Sequence, residues 1–486
     1  MNKLFKLREN NTTVSTEIVA GLTTFFAMSY ILFVAPNILG TTGMPRQAIF
    51  LATIIASVVS TLIMAFFANV PYVLAPGLGL ATFFAYTVVL QLGFTWQQGL
   101  ALVFLCGVID VLITVTKIRQ LIIQAIPPVL QHAIGGGIGL FVAYIGLKNA
   151  GFIKFIVDKA GITSINGVPY HPAATHYAGG VHAFVANSSA TPALVNFNHA
   201  APLVALVGLL IMVVLLMWNV KGAILIGIIA TTIIGIPFGV TNLHVAAGAS
   251  LGTAFHQLGS TMGAAFGAQG MGALWSHPGR LLLAVMTIFA FSLSDIFDAI
   301  GTFIGTGMRS GIFTTTDHQA LDQGTGMNNK MGRALIADAA GSIIAAIFGT
   351  SNVETFVESA SGIGAGGRTG LTSLTAAVMF ALSSLLAPVV AIVPDAATAP
   401  ALIVVGVMMM ASFANIKWAD LEDAIPAFFA AGFMALCYSI AYGIAAGFIF
   451  YIFVKLAKRK VKEIHPMMWI CTALFILNFI VLAIIE

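Results

Sequence analysis

Residues 349–370 read GTSNVETFVESASGIGAGGRTG. This stretch lies between long apolar runs, yet it holds two carboxylates, Glu354 and Glu358, several hydroxyls and six glycines. Polar or irregular backbone is tolerated at membrane depth only where protein or a water-filled cavity surrounds it. The stretch therefore predicts a buried polar site inside a membrane protein and not a lipid-facing helix.

Two further segments are interrupted in a similar way. Residues 291–305, FSLSDIFDAIGTFIG, carry Asp295 and Asp298, and residues 71–86, PYVLAPGLGLATFFAY, are broken by Pro76 and its neighbouring glycines. Proline removes a backbone donor and glycine tolerates irregular backbone, so neither suits an ordinary spanning helix. We interpret the three segments as parts of one buried site.

Composition sets the class of protein. The chain has 486 residues, of which 59% are hydrophobic and 8% are charged, and this is too little charge to cover a soluble protein of that size. The chain is therefore interpreted as one integral membrane domain in a lipid bilayer, with an uncleaved first helix. The basic residues lie at predicted helix ends, so the net charge of +4 gives no reason to expect nucleic acid as a partner.

The three cysteines, Cys106, Cys437 and Cys471, are scattered in apolar runs. Their spacing is typical of inert buried thiols and not of a disulfide or a metal site. No metal and no cofactor are expected.

Apolar runs recur that are long enough to cross a bilayer, which takes about 20 residues. They predict an all-α polytopic membrane protein with fourteen spans in two sets of seven. The third segment of each set is interrupted, which is typical of an internally repeated transporter with its site at the midplane. An odd number of spans in each set makes the repeats inverted. The predicted spans cover residues 17–38, 47–69, 72–90, 97–116, 129–147, 201–218, 222–239, 281–305, 333–348, 350–367, 369–394, 398–414, 425–438 and 440–456.

Basic residues give an independent prediction of topology. With a cytoplasmic amino terminus, sixteen of the 21 Lys and Arg residues lie at cytoplasmic ends, which is the positive-inside bias expected of a multi-pass protein of the cell membrane. This arrangement requires residues 425–453 to form two short spans. Residues 149–200 are predicted to be an external excursion with a small hairpin, whose four histidines lack metal-ligand spacing. Residues 466–486 form an extra hydrophobic helix, and both a spanning and a surface position remain open for it.

Carboxylates within spans are the main candidates for function, because a charge at the bilayer centre costs about 2.5–3.5 kcal/mol even on lenient scales. Asp295 and Asp298 are three residues apart and share one helical face. We expect Asp298 to contact the ligand and both aspartates to take part in proton coupling. Glu358, beside the glycine- and serine-rich break, is expected to do both as well, while Glu354 remains undecided between function and structure.

Other acidic groups are expected to have structural roles. Glu17 is interpreted as a first-turn charge at the membrane edge, so that Glu17→Gln should leave binding and uptake unchanged. Asp110 and Asp338 are expected to make hydrogen bonds between helices. His132 is more typical of a satisfied buried histidine than of a proton relay.

Aromatic and neutral polar residues near the breaks complete the candidate substrate site. Phe83 or Phe84 could stack on a flat ring, and Phe297 is a weaker candidate for the same role. Neutral hydrogen bonds are expected from three further residues: Thr82, Ser351 and Asn352. Buried acids beside broken helices suit a small polar neutral ligand that moves together with a proton. A permanently charged substrate would need a basic residue, and the middles of the predicted spans contain no Lys or Arg.

Several long motifs resemble the nucleobase–cation symporter-2 family, specifically its AzgA-like purine permease branch. They are TTVSTEIVAGLTTFFAMSYILFV, APGLGLATFFAYTVV, GIGLFVAYIGLKNAG, SDIFDAIGTFIG, GRALIADAAGSIIAAIFGTS and FVESASGIGAGGRTGLTSL, and they cover most of the chain. The resemblance implies import of a purine nucleobase by proton symport with alternating access. It also implies that the base binds between the third and tenth segments, held by the acids at Asp298 and Glu358.

The resemblance further implies two domains formed by the inverted repeat. Spans 1 to 4 and 8 to 11 would form a core, residues 17–116 and 281–394, and the other spans would form a gate, residues 129–239 and 398–456.

The sequence departs from the pattern of this branch close to the inferred site. Ala35 and Ala81 stand where the branch usually has Asn, and Val353 and Glu354 stand where it has small Thr or Ser residues. Guanine, hypoxanthine and adenine therefore all remain open as substrates, and so does a homodimer as the assembly. Alternatives are a small-anion carrier or a uracil or xanthine carrier of the same fold. An intramembrane enzyme is disfavoured because His132 is the one histidine within a predicted span.

Overall fold

The computed structural model describes residues 2–116, 125–157, 162–165, 168–169, 183–185, 190–243, 250–276, 280–308, 310–314 and 329–485. The protein is mostly helical. Its main helices are α1 Asn2–Phe5, α2 Val14–Met28, α3 Ile31–Gly40, α4 Arg46–Ile63, α5 Leu78–Thr82, α6 Trp96–Val115, α7 Pro128–Asn149, α8 Ala200–Met217, α9 Ala223–Gly235, α10 Leu251–Thr261, α11 Leu281–Thr302, α12 Lys330–Phe348, α13 Ser359–Gly364, α14 Gly370–Leu382, α15 Asp395–Met409, α16 Leu421–Leu436, α17 Ile440–Ala457 and α18 Pro466–Ile485. The wider turns of a π-helix continue α4, α5 and α11 through Met64–Ala68, Phe83–Gln91 and Phe303–Met308. The short strands are β1 Leu74–Pro76, β2 Ile153–Val157, β3 Ile162–Ile165, β4 Val168–Pro169, β5 Ala183–Val185, β6 Ala190–Leu194 and β7 Val353–Thr355.

Within these described ranges, ten helical stretches are long and apolar enough to cross a membrane. They are Val14–Gly40, Arg46–Ala68, Trp96–Val115, Pro128–Asn149, Ala200–Met217, Leu281–Thr302, Lys330–Phe348, Gly370–Val390, Asp395–Asn415 and Ile440–Ala457. The expectation of a multi-pass membrane protein is therefore confirmed, and these ten stretches coincide with ten of the predicted spans.

The other predicted spans correspond to shorter elements. The third and seventh fall on the apolar helices Leu78–Gln91 and Ala223–Gly235, and the thirteenth falls on the 16-residue α16. The tenth consists of β7 and the six-residue α13. The count of fourteen spans and the inverted repeat therefore stay predictions.

The prediction of a purely helical chain is wrong at the two interrupted segments. Strands β1 and β7 pair in antiparallel fashion, with Ala75 opposite Glu354 and Pro76 opposite Val353. Proline cannot donate a backbone hydrogen bond, and backbone groups inside a membrane protein need partners. Each extended segment satisfies the backbone of the other, and this fixes two distant parts of the chain side by side.

The predicted excursion contains extended structure where it is described. Strand β2 pairs with β6, and β3 pairs with β4 and β5, all in antiparallel fashion. His199 is the residue before α8, whereas His171, His176 and His182 lie outside the described residues. The consecutive strands β3 and β4 form the small hairpin, while the external location stays a prediction.

The region around residues 425–453 forms two helices, as the charge pattern requires. Helix α16 ends before Tyr438, whose positive φ of 57° is left-handed backbone, and α17 follows it. At the other end of this pair, Glu422 forms ion pairs with Lys455 and with Lys460, the second at 2.8 Å between Nζ and Oε2. Hydrogen bonds from these lysines lower the pKa of Glu422 from 4.5 to about 2.

Glu17 occupies a different position from the one expected. It lies in the first turn of α2, but its side chain is fully buried and accepts hydrogen bonds from the start of α14. The backbone N–H of Arg368 donates to Oε1 at 2.9 Å, and those of Thr369 and Thr372 donate to Oε2 at 3.3 and 3.1 Å. The Thr372 hydroxyl adds a bond of 2.6 Å. The interpretation of Glu17 as a dispensable edge charge is wrong, because its carboxylate joins α2 to α14.

Candidate functional site

The two paired strands bring the start of one helix close to a carboxylate on the other segment. The Gly77 N–H donates to the Asn352 carbonyl at 3.0 Å, and the Phe356 N–H donates to the Val73 carbonyl at 3.1 Å. Helix α5 begins two residues after the end of β1, and α13 begins four residues after the end of β7. A helix N-terminus carries unpaired N–H groups and a partial positive charge, so it favours negative groups or hydrogen-bond acceptors.

Gly77 is required by close approach. A Cβ atom at this position would overlap the carboxyl group of Glu354. Any larger residue would therefore push Glu354 away from the start of α5. This contact places Glu354, which the sequence left undecided, at the centre of the site.

Asp298 on α11 meets the same carboxyl group. The Asp298 and Glu354 carboxyl groups lie within hydrogen-bonding reach of each other; Asp298 is half-buried and Glu354 is 9% exposed. Two ionised carboxylates this close repel each other, so the pair is stable only with a proton or another donor between them. This geometry suits both proton binding and the binding of a ligand that offers N–H groups.

Glu358 has a partner that sequence reasoning missed. The Tyr30 hydroxyl donates to Glu358 Oε1 at 2.6 Å. Tyr30 is buried at the break between α2 and α3, where the first span is interrupted. The sequence signal was weak, since one tyrosine in an apolar run is common. The bond orients the carboxylate and occupies one of its acceptor sites.

Asp295 belongs to an adjacent but different cluster. The Ser342 hydroxyl donates to Asp295 Oδ2 at 3.4 Å, and the Asp295 carboxylate lies close to Asp110 and Cys106. Cys106 is buried and free, as expected, and its Sγ donates to Asp110 Oδ2 at 3.1 Å.

Asp338 has the structural role that the sequence indicated. The Thr355 hydroxyl donates to Asp338 Oδ1 at 2.5 Å, which ties α12 to the end of β7. The expected hydrogen bond between spanning segments is therefore confirmed.

The predicted aromatic residues are placed unequally. Phe83 is fully buried against Phe291, with ring centroids 4.6 Å apart, and Phe84 is fully buried against Gly99. Phe297 is half-buried next to Asp298. A stacking role for Phe83 or Phe84 would need these packed rings to move, whereas Phe297 already has an exposed face.

The predicted hydroxyl and amide groups are all enclosed. Thr82 donates to the carbonyl of Gly79 in its own helix at 2.7 Å. Ser351 and Asn352 are fully buried just before β7, and among the described residues neither the Ser351 hydroxyl nor the Asn352 Oδ1 has a hydrogen-bond partner. These two residues therefore remain candidates for binding a ligand or an ion.

A cavity of about 110 Å³ lies away from these carboxylates. Its lining includes Asn37, Tyr86, Asn149, Asp395 and Thr398. These residues follow or precede loops that the charge pattern places outside. The cavity is therefore interpreted as part of an external vestibule and not as the buried site itself.

Carboxylates beside interrupted segments that membrane helices enclose are typical of membrane transporters. The chain matches the model of the Permease family (Xan_ur_permease) over residues 15–170 and 160–446. It is 38% identical to the guanine/hypoxanthine permease PbuO of Bacillus subtilis (strain 168), with 99% of this chain and 100% of that protein covered. It is 34% identical to the adenine permease AdeP of Escherichia coli (strain K12), with 99% of this chain and 96% of that protein covered. The chain belongs to the Permease family, whose members are transporters and not enzymes.

The fold is also similar to a solved structure of low sequence identity. The transmembrane domain of the cyanobacterial bicarbonate transporter BicA superposes with a TM-score of 0.55 at 14% identity, covering 89% of this chain and 96% of that domain. At this identity, the likeness shows the fold alone.

Proposed function

We propose that the protein imports purine nucleobases by proton symport with alternating access. The observation that carries this proposal is the convergence of Asp298 on α11 with Glu354 and Glu358 on the interrupted segment around β7. Carboxylates accept hydrogen bonds, and a purine offers N–H donors along one edge. The names of the relatives, guanine/hypoxanthine and adenine permeases, support the same substrate class.

The carboxylate oxygens of the site are hydrogen-bond acceptors, and this suggests an order of affinity among the purines. Guanine presents a ring N–H and an amino group side by side, which fits one carboxylate with two bonds. Hypoxanthine lacks the amino group, and adenine has a ring acceptor beside its amino group. Competition by unlabelled bases against uptake of labelled guanine, in cells without their own purine permeases, should therefore rank guanine first. Adenine as the strongest competitor would contradict this assignment of the carboxylates.

Hydrogen bonds between the proposed core and gate support alternating access. Asn37 donates to the Thr398 hydroxyl at 3.0 Å, and Asn149 donates to the Tyr86 hydroxyl at 2.8 Å. The Thr87 hydroxyl and the Gln91 amide donate to backbone carbonyls at the turn between α16 and α17, at 2.8 and 3.1 Å. All four bonds lie near loops that are predicted to be external. We infer that this conformation is closed toward the outside.

Substitutions of the two acids test the substrate site. Glu358→Gln keeps the size of the side chain but replaces one acceptor by a donor, so purine affinity should fall by about ten- to a hundredfold. Asp298→Asn removes the group proposed to bind both ligand and proton, so concentrative uptake should be lost. Glu9→Gln is the matched control, because the Glu9 side chain is 70% exposed in a surface ion pair.

The measurements are purine binding to purified protein and uptake into vesicles. Full concentrative uptake by Asp298→Asn would remove that residue from the mechanism, and unchanged binding by Glu358→Gln would place the ligand elsewhere. A protonophore should abolish uptake driven by a pH gradient. Uptake that survives the protonophore and depends on sodium would show that sodium, and not the proton, is the coupling ion.

The main alternative is a small-anion carrier, which the fold likeness to a bicarbonate transporter allows. Three carboxylates at the site disfavour it, because they repel an anion. Uptake of labelled bicarbonate without any competition by purines would favour this alternative.

A further inference from the structure

A second polar cluster is enclosed directly beside the proposed purine site. It contains Cys106 and Asp110 on α6 and Asp295 on α11, and one possible ligand atom from each lies within 4.8 Å of the others. The exposed fractions of these residues are 0%, 2% and 2%. Buried carboxylates need compensation by protons, donors or a cation.

An independent group points to a ligand at this place. Asn352 comes from the other interrupted segment and is fully buried. Its Nδ2 donates to the Cys106 Sγ at 3.3 Å, which brings the amide to the cluster, while its Oδ1 has no partner in the described part of the chain. Within the same described ranges, Asp295 Oδ1 has no hydrogen-bond partner either. Two enclosed acceptors without donors are the arrangement that a bound cation satisfies.

The donor set indicates the kind of cation. Most of the possible ligand atoms of the cluster are oxygens. Two hydroxyl oxygens add to the carboxylates: that of Ser292 lies 3.5 Å from Cys106 Sγ, and that of Ser342 lies 3.4 Å from Asp295 Oδ2. The cluster has one sulfur atom, Cys106 Sγ, which donates to Asp110 Oδ2, whereas Zn²⁺ sites usually combine several thiolate or histidine ligands.

Two other hard cations fit less well. Mg²⁺ usually keeps several of its waters, which a site this enclosed has little room to hold, and Ca²⁺ takes about 6–8 oxygen ligands. We propose that Asp110, Asp295 and Asn352, with the two serine hydroxyls, bind a dehydrated monovalent cation of the size of Na⁺.

The position of this site links it to the purine site. Asn352 lies two residues before Glu354, and Asp295 lies three residues before Asp298. A bound cation therefore fixes both elements that carry the purine carboxylates. Only this link rests on the proposed function. It predicts that bound Na⁺ strengthens purine binding although the ion and the purine contact different atoms.

The test uses purified full-length protein, first without purine. Binding of ²²Na⁺ should be saturable, and Asp295→Asn and Asn352→Ala should each weaken it by about ten- to a hundredfold. Cys106→Ser should retain Na⁺ binding, since a hydroxyl replaces the thiol. Glu9→Gln, at an exposed ion pair with Lys6, is the matched control. Thermal unfolding in choline chloride checks that each variant is folded.

Three results would overturn the site: no saturable Na⁺ binding by folded wild type, unchanged binding by Asp295→Asn and Asn352→Ala together, or tight Zn²⁺ binding that Cys106→Ser abolishes. Saturable Na⁺ binding with the expected losses, in a protein that binds no purine, would support the cation site and refute the proposed function. Purine affinity that rises with Na⁺ in wild type, and not in Asp295→Asn, would support the link between the two sites.

Discussion

Glu17→Gln tests the contact that most clearly departs from the sequence expectation. In the wild type, one carboxylate accepts three backbone N–H groups and one hydroxyl from the start of α14. Three of these four donors point at Oε2. Glutamine keeps one oxygen but places an NH₂ group against donors, so buried N–H groups at the helix start lose their acceptor.

The magnitude follows from the bonds that are lost. Hydrogen bonds to charged groups contribute about 1.5–3 kcal/mol each, and an unpaired buried donor costs about 1–3 kcal/mol. Bonds that share one carboxylate do not add independently. We therefore expect Glu17→Gln to lower the free energy of unfolding by about 2–4 kcal/mol, which is large for a single substitution.

The assay is reversible unfolding in mixed micelles, followed by tryptophan fluorescence. Glu9→Gln is the same substitution near the same end of the chain, in an ion pair whose side chains are 61% and 70% exposed. It should change the free energy of unfolding by less than about 0.5 kcal/mol. If Glu17→Gln also stays within that range, the carboxylate does not hold α14 in place and the reasoning fails.

Three further outcomes are expected. Cysteines at Asn37 and Thr398, in a background without native cysteines, should stop uptake when a short reagent joins them, and reduction should restore it; unaffected uptake would show that this contact need not open. The low pKa of Glu422 means that its ion pairs stabilise the fold above pH 4.5 and lose this effect as the pH falls toward about 2. The difference in unfolding free energy between wild type and Glu422→Gln should therefore shrink over that range, and a constant difference would contradict the assigned pKa. A cysteine at Lys154 should react with an impermeant reagent from outside, and one at Lys462 only from inside. The reverse pattern would show that the topology is opposite to the predicted one.

The amino-acid sequence by itself determined the class of protein and pointed to the segments that carry the candidate site. A bilayer imposes strict rules on composition, since each spanning segment needs an apolar run and each break must be enclosed. Carboxylates such as Asp298 and Glu358 therefore stand out within apolar runs, and Pro76 marks an interrupted segment. These signals are local, so they can be read without knowing which segments meet.

Only the tertiary structure decided which distant groups meet. Tyr30 bonds to Glu358 across 328 positions of sequence, and Glu17 reaches Thr372 across 355. The Asn352 amide similarly lies against Cys106, which the sequence alone presents as one thiol in an apolar run. Such contacts depend on the rotation of each helix and on the register of β1 with β7. Local hydrophobicity leaves both of these open, because an apolar span looks the same from the sequence whichever neighbour it faces.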